Sequence, residues 1–155
     1  MSSTQNEVVL RVTRTFDATV EQVFDAWTNP EVLRRWWAAG ETWETPLAEV
    51  DLRPGGRYRL SMRNAETGEV HTVGGEYREV VRPERLAYTW SWETNVEQMT
   101  GSEDTLVVVD FVVSDGATEV VVTHSGFANE ELAGMHEHGW IACLDNLERR
   151  VFPTA

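Results

Sequence analysis

The sequence predicts an α+β fold: a curved antiparallel sheet of six to seven strands wrapped around a long C-terminal helix, with two short helices after the first strand. Three observations predict it. Apolar and polar residues alternate in successive runs between residues 8 and 125, the period-2 mark of half-buried strands. Two capped helical segments interrupt these runs between residues 19 and 37. The last stretch, from Asn129, changes to the 3.6-residue period of a helix. An antiparallel sheet needs cover on one face only, and one long helix can supply it.

The elements follow in order. Val8 to Phe16 sets Val8, Leu10 and Val12 against Val9, Arg11 and Thr13, and reads as a strand. Thr19-Val20-Glu21-Gln22 is a capping box, after which Val20, Val23, Phe24 and Trp27 share a helical face. Asn29-Pro30-Glu31 restarts a second short helix, with Asn as cap and Pro at the first helical position, carrying Leu33, Trp36 and Trp37. Strands begin at Trp43. Gly55-Gly56 turns the chain into Arg57–Arg63, and Glu66-Thr67-Gly68 turns it into Val70–Val81. Beyond Arg82-Pro83-Glu84, Leu86, Tyr88, Trp90 and Trp92 alternate with Ala87, Thr89 and Ser91. Thr105–Val113 and Thr118–Ser125 flank Asp115-Gly116, a strong hairpin signal. In the final helix Asn129 caps, Glu130 and Glu131 suit the positive end of the dipole, and Arg149 and Arg150 suit the other. Ala133, His136, Trp140, Cys143, Leu144, Leu147 and Val151 form its apolar stripe, over a length of about 30 Å.

No linker, repeat or composition break divides the 155 residues. One domain is expected over residues 7–151, with residues 1–6 and 152–155 as loose ends. A chain of this length buries about two-thirds of its unfolded surface without staples. The net charge is −13, and all 13 basic residues are Arg. So acidic a surface repels nucleic acid and anionic lipid, which argues against both as partners. Met1–Glu7 has neither a basic nor an apolar signal segment, and no apolar run approaches the roughly 20 residues of a membrane span. With one cysteine, Cys143, there is no disulfide framework, and a cytoplasmic address is expected. Seven Trp against three Tyr and five Phe is an unusual ring complement, since each indole N–H usually needs an acceptor when buried.

Several strings, in this order, resemble the START-like (SRPBCC) superfamily, and within it the bacterial homologues of the activator of the heat-shock protein 90 ATPase. They are Phe24-Asp25-Ala26-Trp27-Thr28-Asn29-Pro30-Glu31, Leu33-Arg34-Arg35-Trp36-Trp37, Gly55-Gly56-Arg57-Tyr58, and Gly75-Glu76-Tyr77 through Pro83-Glu84-Arg85-Leu86. Thr123-His124-Ser125-Gly126-Phe127 and Gly139-Trp140-Ile141-Ala142-Cys143-Leu144-Asp145-Asn146-Leu147 complete the set, which spans nearly the whole chain. The resemblance implies a helix-grip fold with a deep cavity. Members bind lipids, sterols, polyketides or hormones, and some cyclise or aromatise polyketides. Fold carries over more firmly than activity.

Such a cavity needs inward rings and a few polar groups. By alternation the inward residues are Tyr58, Leu60, Met62, Val73, Gly75, Tyr88, Trp90, Trp92, Val109 and Phe111, with Gly75 leaving space where a side chain would otherwise sit. Trp36, Trp37 and Trp43 are expected at one mouth and His124 at the other. His136 lies on the apolar stripe one turn before Trp140, and is either a polar anchor or base for a ligand or a hydrogen-bonded core histidine. His138 points away from it, so the two cannot share a metal, and His71 has no evident partner. Cys143 lies among apolar neighbours, where a thiol is inert. No metal-ligand spacing, phosphate loop or nucleophile elbow occurs, and no cofactor is expected.

The function expected first is non-catalytic: carriage or sensing of a small hydrophobic, aromatic or lipid-like molecule. A cyclase or aromatase using His136 with Tyr58, Tyr88 or Arg59 is the alternative, although alternation puts Arg59 outside. A chaperone-cofactor-like interaction module is the third reading. A protein partner or homodimer stays open.

Overall fold

The structure, a computed structural model, describes residues 8–38, 40–93 and 105–153. Within them run β1 (Val8–Phe16), α1 (Val20–Thr28), α2 (Pro30–Trp36), β2 (Trp43–Val50), β3 (Arg57–Asn64), β4 (Val70–Val81), β5 (Arg85–Trp92), β6 (Thr105–Ser114), β7 (Ala117–Phe127) and α3 (Glu130–Arg150). The strands form one curled antiparallel sheet in the order β1-β7-β6-β5-β4-β3-β2, and α3 covers its concave face. The expected fold class is the observed one.

Local chemistry sets the early elements. Thr19 accepts from the Gln22 N–H at 3.2 Å, while Gln22 Oε1 accepts from the Thr19 N–H at 2.9 Å, the reciprocal capping box read from the sequence. Asn29 ends α1 and starts α2, accepting from the Glu31 N–H at 3.0 Å with Pro30 behind it. Thr19→Ala removes the acceptor of the Gln22 N–H at an exposed helix start and is expected to lower unfolding free energy by about 1 kcal/mol; Thr19→Gly costs only a few tenths. Urea denaturation of the two variants checks the ranking, which reverses if the Thr19 side chain has no capping role. At the β6–β7 hairpin Asp115 and Gly116 both take positive φ, 48° and 79°, the mirror-image turn that matches strand twist.

The two ends of α3 are held differently. Its C-terminal half is tied down: Asn146 donates to the carbonyls of Ala38 and Gly40 at 2.9 and 3.1 Å. Arg14 on β1 meets Asp145 at 2.7 Å and Glu148 at 3.0 Å. Leu144 and Leu147 are fully buried there. Phe152, expected in a loose end, instead packs on Phe16 with centroids 6.0 Å apart. An apolar side chain beside a core ring gains more by burial than by staying in water. The other expected loose residues, 1–6 and 154–155, lie outside the described residues. The N-terminal half of α3 makes no ion pair with the sheet among the described residues, and roofs the site below. No described helix is long and apolar enough to cross a membrane.

Candidate ligand site

Under the N-terminal half of α3 lies a space of about 40 Å³, walled by Trp37, Met62, Trp90, Trp92, Met135, His136, Gly139, Trp140 and Cys143. It holds a few waters at most, against the roughly 300 Å³ or more of an ordinary small-molecule pocket. Packed rings take up most of the room. Trp90 has its centroid 5.5 Å from that of Trp140, 5.6 Å from that of Trp92 and 6.2 Å from that of Trp37. The wall is nonetheless adaptable, because Met62 and Met135 carry three rotatable bonds each and reshape at little cost.

Two histidines stand behind the rings, each fixed by an indole. Trp92 Nε1 donates to His136 Nε2 at 3.0 Å, so the His136 proton sits on Nδ1 and is donated to the Leu132 carbonyl at 2.8 Å. Trp140 Nε1 donates to His124 Nδ1 at 3.1 Å, so His124 carries its proton on Nε2, facing the Thr105 hydroxyl at 2.7 Å. An indole N–H only donates, so neither imidazole can take a second proton without losing that bond. Burial therefore lowers the His124 pKa well below the ordinary histidine range, with His136 adding like-charge repulsion. Burial lowers that of His136 too, against the opposing pull of its bond to Leu132. Both rings stay neutral at pH 7, their centroids 5.4 Å apart.

The third indole of this wall is different. Trp90 Nε1 is buried without a hydrogen-bond partner, on a residue only 7% exposed. A buried donor without an acceptor costs about 1–3 kcal/mol.

The expected site residues divide into groups. Trp37, Met62, Trp90, Trp92, His136, Trp140 and Cys143 meet around the one space. Tyr58, Leu60 and Tyr88 border a separate void of about 10 Å³ with Trp27 and Tyr77, too small for a guest. Val73, Val109 and Phe111 are core residues beside neither. Trp36 is not at a mouth: it is fully buried, with its N–H on the Ala26 carbonyl at 2.9 Å. His124 is not at the other mouth either, because β7 continues two residues further than its alternation suggests and leaves His124 with no exposed surface. His71 does have partners: Glu69 Oε2 at 2.7 Å, and Trp43 stacked at 5.6 Å. Gly75 opens no space. A Cβ there would lie 2.0 Å from the Thr89 carbonyl oxygen, so its bareness serves the approach of β4 to β5.

The partners named for a His136 base are engaged elsewhere. Tyr58 donates to the Thr89 carbonyl at 2.6 Å, the Tyr88 hydroxyl accepts from Trp27 Nε1 at 3.3 Å, and the exposed Arg59 pairs with Glu93 at 2.9 Å. Burial pushes the Cys143 thiol up to about 12, which leaves almost no thiolate at neutral pH. Its reaction with a disulfide reagent at pH 8 is expected to run at least about a hundredfold slower in the native protein than in denaturant; equal rates would show an open α3. Two wall residues, Met135 and Gly139, escape the sequence reading. They flank the apolar stripe, and the structure brings them to the same space as Met62 of β3 and Trp90 and Trp92 of β5.

A curled sheet gripped by one C-terminal helix, with two short helices after the first strand, defines the helix-grip class. The chain belongs to the family described as Activator of Hsp90 ATPase homolog 1-like protein, which matches residues 17–151. Solved structures agree. The AHSA1 protein of Silicibacter pomeroyi is 25% identical, with TM-score 0.77 over 90% of this chain and 94% of that one. An uncharacterized protein of Rhizobium leguminosarum is 28% identical, with TM-score 0.74 over 92% and 93%. An AHSA1-like protein of Aeromonas hydrophila is 25% identical, with TM-score 0.73 over 90% of both. No curated protein matches the chain significantly.

Proposed function

We propose that this protein binds a small apolar, aromatic molecule between the sheet and the N-terminal half of α3, as a carrier or sensor. The observation that carries the reading is the wall itself: four indoles and two flexible methionines around one space, with both nearby histidines held neutral. Such a surface attracts a planar apolar guest by burial and ring stacking, and offers no charge to draw an ion. Entry requires Met62, Met135 or the Trp92–His136 bond to give way, since the resting space is only about 40 Å³. The anchored C-terminal half of α3 lets its other half move without loss of the fold.

A thermal-shift screen of the purified protein against lipids, flavonoids and polyketides tests this. A ligand at a hundred times its Kd adds about 2.7 kcal/mol, a shift on the order of 5 °C or more. Gly139→Leu serves as the control. Gly139 borders the space and a Cβ there meets nothing within 4 Å, so a leucine is accommodated without a clash, crowds the site, and is expected to abolish the shift while the variant stays folded. If no compound raises the melting temperature, or if Gly139→Leu responds as the wild type does, the site is not a binding site.

A further inference from the structure

We propose that the molecule bound under α3 is an aromatic compound bearing an uncharged oxygen acceptor, a ketone being the simplest form, and that this oxygen takes the hydrogen bond of the Trp90 indole N–H. The inference rests on the binding reading above and narrows it to one chemical class.

Its starting point is the contrast among three of the four indoles of one wall. Trp92 and Trp140 each deliver their N–H to an imidazole nitrogen, at 3.0 and 3.1 Å. Trp90, whose ring packs against both and is more buried than the half-buried Trp92, delivers its N–H to nothing. Among the described residues no acceptor lies within hydrogen-bond reach of it. Its ring neighbours are Trp37, Trp92, Trp140, His124 and His136, and the imidazole nitrogens that accept are already taken. Trp90 borders the space, but its N–H is closed off in the resting packing, so an acceptor from outside the chain meets it only when the rings of the wall part to admit a guest. Buried donors are paired in the great majority of proteins, and exceptions tend to mark a missing partner.

The same wall decides what kind of acceptor fits. A carboxylate or phosphate would be buried without a cation, because no Arg borders the space and both histidines are held neutral. A hydroxyl would bring a donor of its own. That donor would find His136 Nε2 and His124 Nδ1 already occupied by indoles. An oxygen that accepts and does not donate leaves no polar group unsatisfied. The remaining wall, rings and thioethers, calls for a flat hydrocarbon body around that oxygen.

Acetophenone and α-methylstyrene make the test, because they share one heavy-atom skeleton and differ in a single oxygen replaced by CH₂. Their transfer from water differs, so the quantity read is the ratio of their Kd values in the wild type against that in Trp90→Phe. The ratio is expected to shift against acetophenone by about fivefold or more in the variant. In the wild type, ¹⁵N spectra add a reading that does not depend on the variant folding. The Trp90 indole N–H is expected to move downfield with acetophenone and not with α-methylstyrene, while the Trp92 and Trp140 signals keep their hydrogen-bonded positions.

An unchanged ratio with an unmoved Trp90 signal overturns the acceptor inference and leaves binding itself intact. So does an ordered water found on the Trp90 N–H that persists in both complexes. If neither compound binds at millimolar concentration, the inference falls together with the proposed function for small aromatics.

Discussion

Gly75→Ala is expected to lose about 3 kcal/mol or more of unfolding free energy, one of the largest effects available to a single methyl group in this chain. The cause is backbone against backbone. The added Cβ would lie 2.0 Å from the Thr89 carbonyl oxygen and 2.7 Å from its carbon, so β4 and β5 must part. Two further bonds converge on the same residue and go with it: Tyr58 Oη to the Thr89 carbonyl at 2.6 Å, and the Glu76 N–H to Thr89 Oγ1 at 2.8 Å. Gly134→Ala is the matched control. It lies exposed on α3 with nothing within 4 Å of a new Cβ, and alanine there is expected to stabilise by roughly 0.5–1 kcal/mol through lower unfolded-chain entropy. Denaturant titration of both variants should give opposite signs. A loss below about 1 kcal/mol at Gly75 would mean that the strands do not approach as described.

His124→Leu carries the second large effect, about 2–4 kcal/mol at pH 7.5, because it orphans the Trp140 N–H and leaves the buried Thr105 hydroxyl only its longer bond to the Trp90 carbonyl at 3.3 Å. Its pH dependence identifies the cause. The folded-state pKa of His124 is lowered by burial and by the nearby His136, while the unfolded imidazole titrates near 6.5. Below that value the unfolded chain takes up a proton that the folded chain refuses. Stability of the wild type therefore falls as the pH drops through 6.5 toward the folded pKa, by up to about 1.4 kcal/mol per pH unit for each such group. His136 acts in the same direction. The leucine variant lacks one of these titrations, so the gap between the two proteins should narrow between pH 7 and pH 5. A gap that widens would show that the fold favours the charged form of His124, and a constant one that folding leaves its titration unchanged; either overturns the buried neutral ring. Carboxylates titrate in both proteins and cancel in the difference.

Much of the fold is legible because its signals are local. Thr19 and Gln22, Asn29 and Pro30, and Asp115 and Gly116 each act within four residues, where backbone geometry alone brings the groups together. Alternation along β1, β3 and β5 names the buried face for the same reason: successive side chains leave a strand on opposite sides. The candidate site is only half legible by these means. Trp37, Trp90, Trp92, His136 and Trp140 can be named as inward, yet nothing local says that Trp92 bonds to His136 across 44 residues or Trp140 to His124 across 16. His124 shows the limit most clearly, since its place near the end of β7 suggests a mouth while the sheet's curl puts it in the interior.

The sequence by itself determined the order and kind of elements, the face each one buries, and the family to which the chain belongs. Those properties depend on spacings of two to four residues and on the order of short strings. Only the tertiary structure decided how much room lies under α3, which imidazole nitrogens are taken, that Gly75 serves close packing, and that Trp90 alone of three neighbouring indoles has no acceptor. The physical reason is that volume and hydrogen-bond satisfaction are set by where several distant elements come to rest together. A residue's own neighbours in the chain carry no record of that meeting.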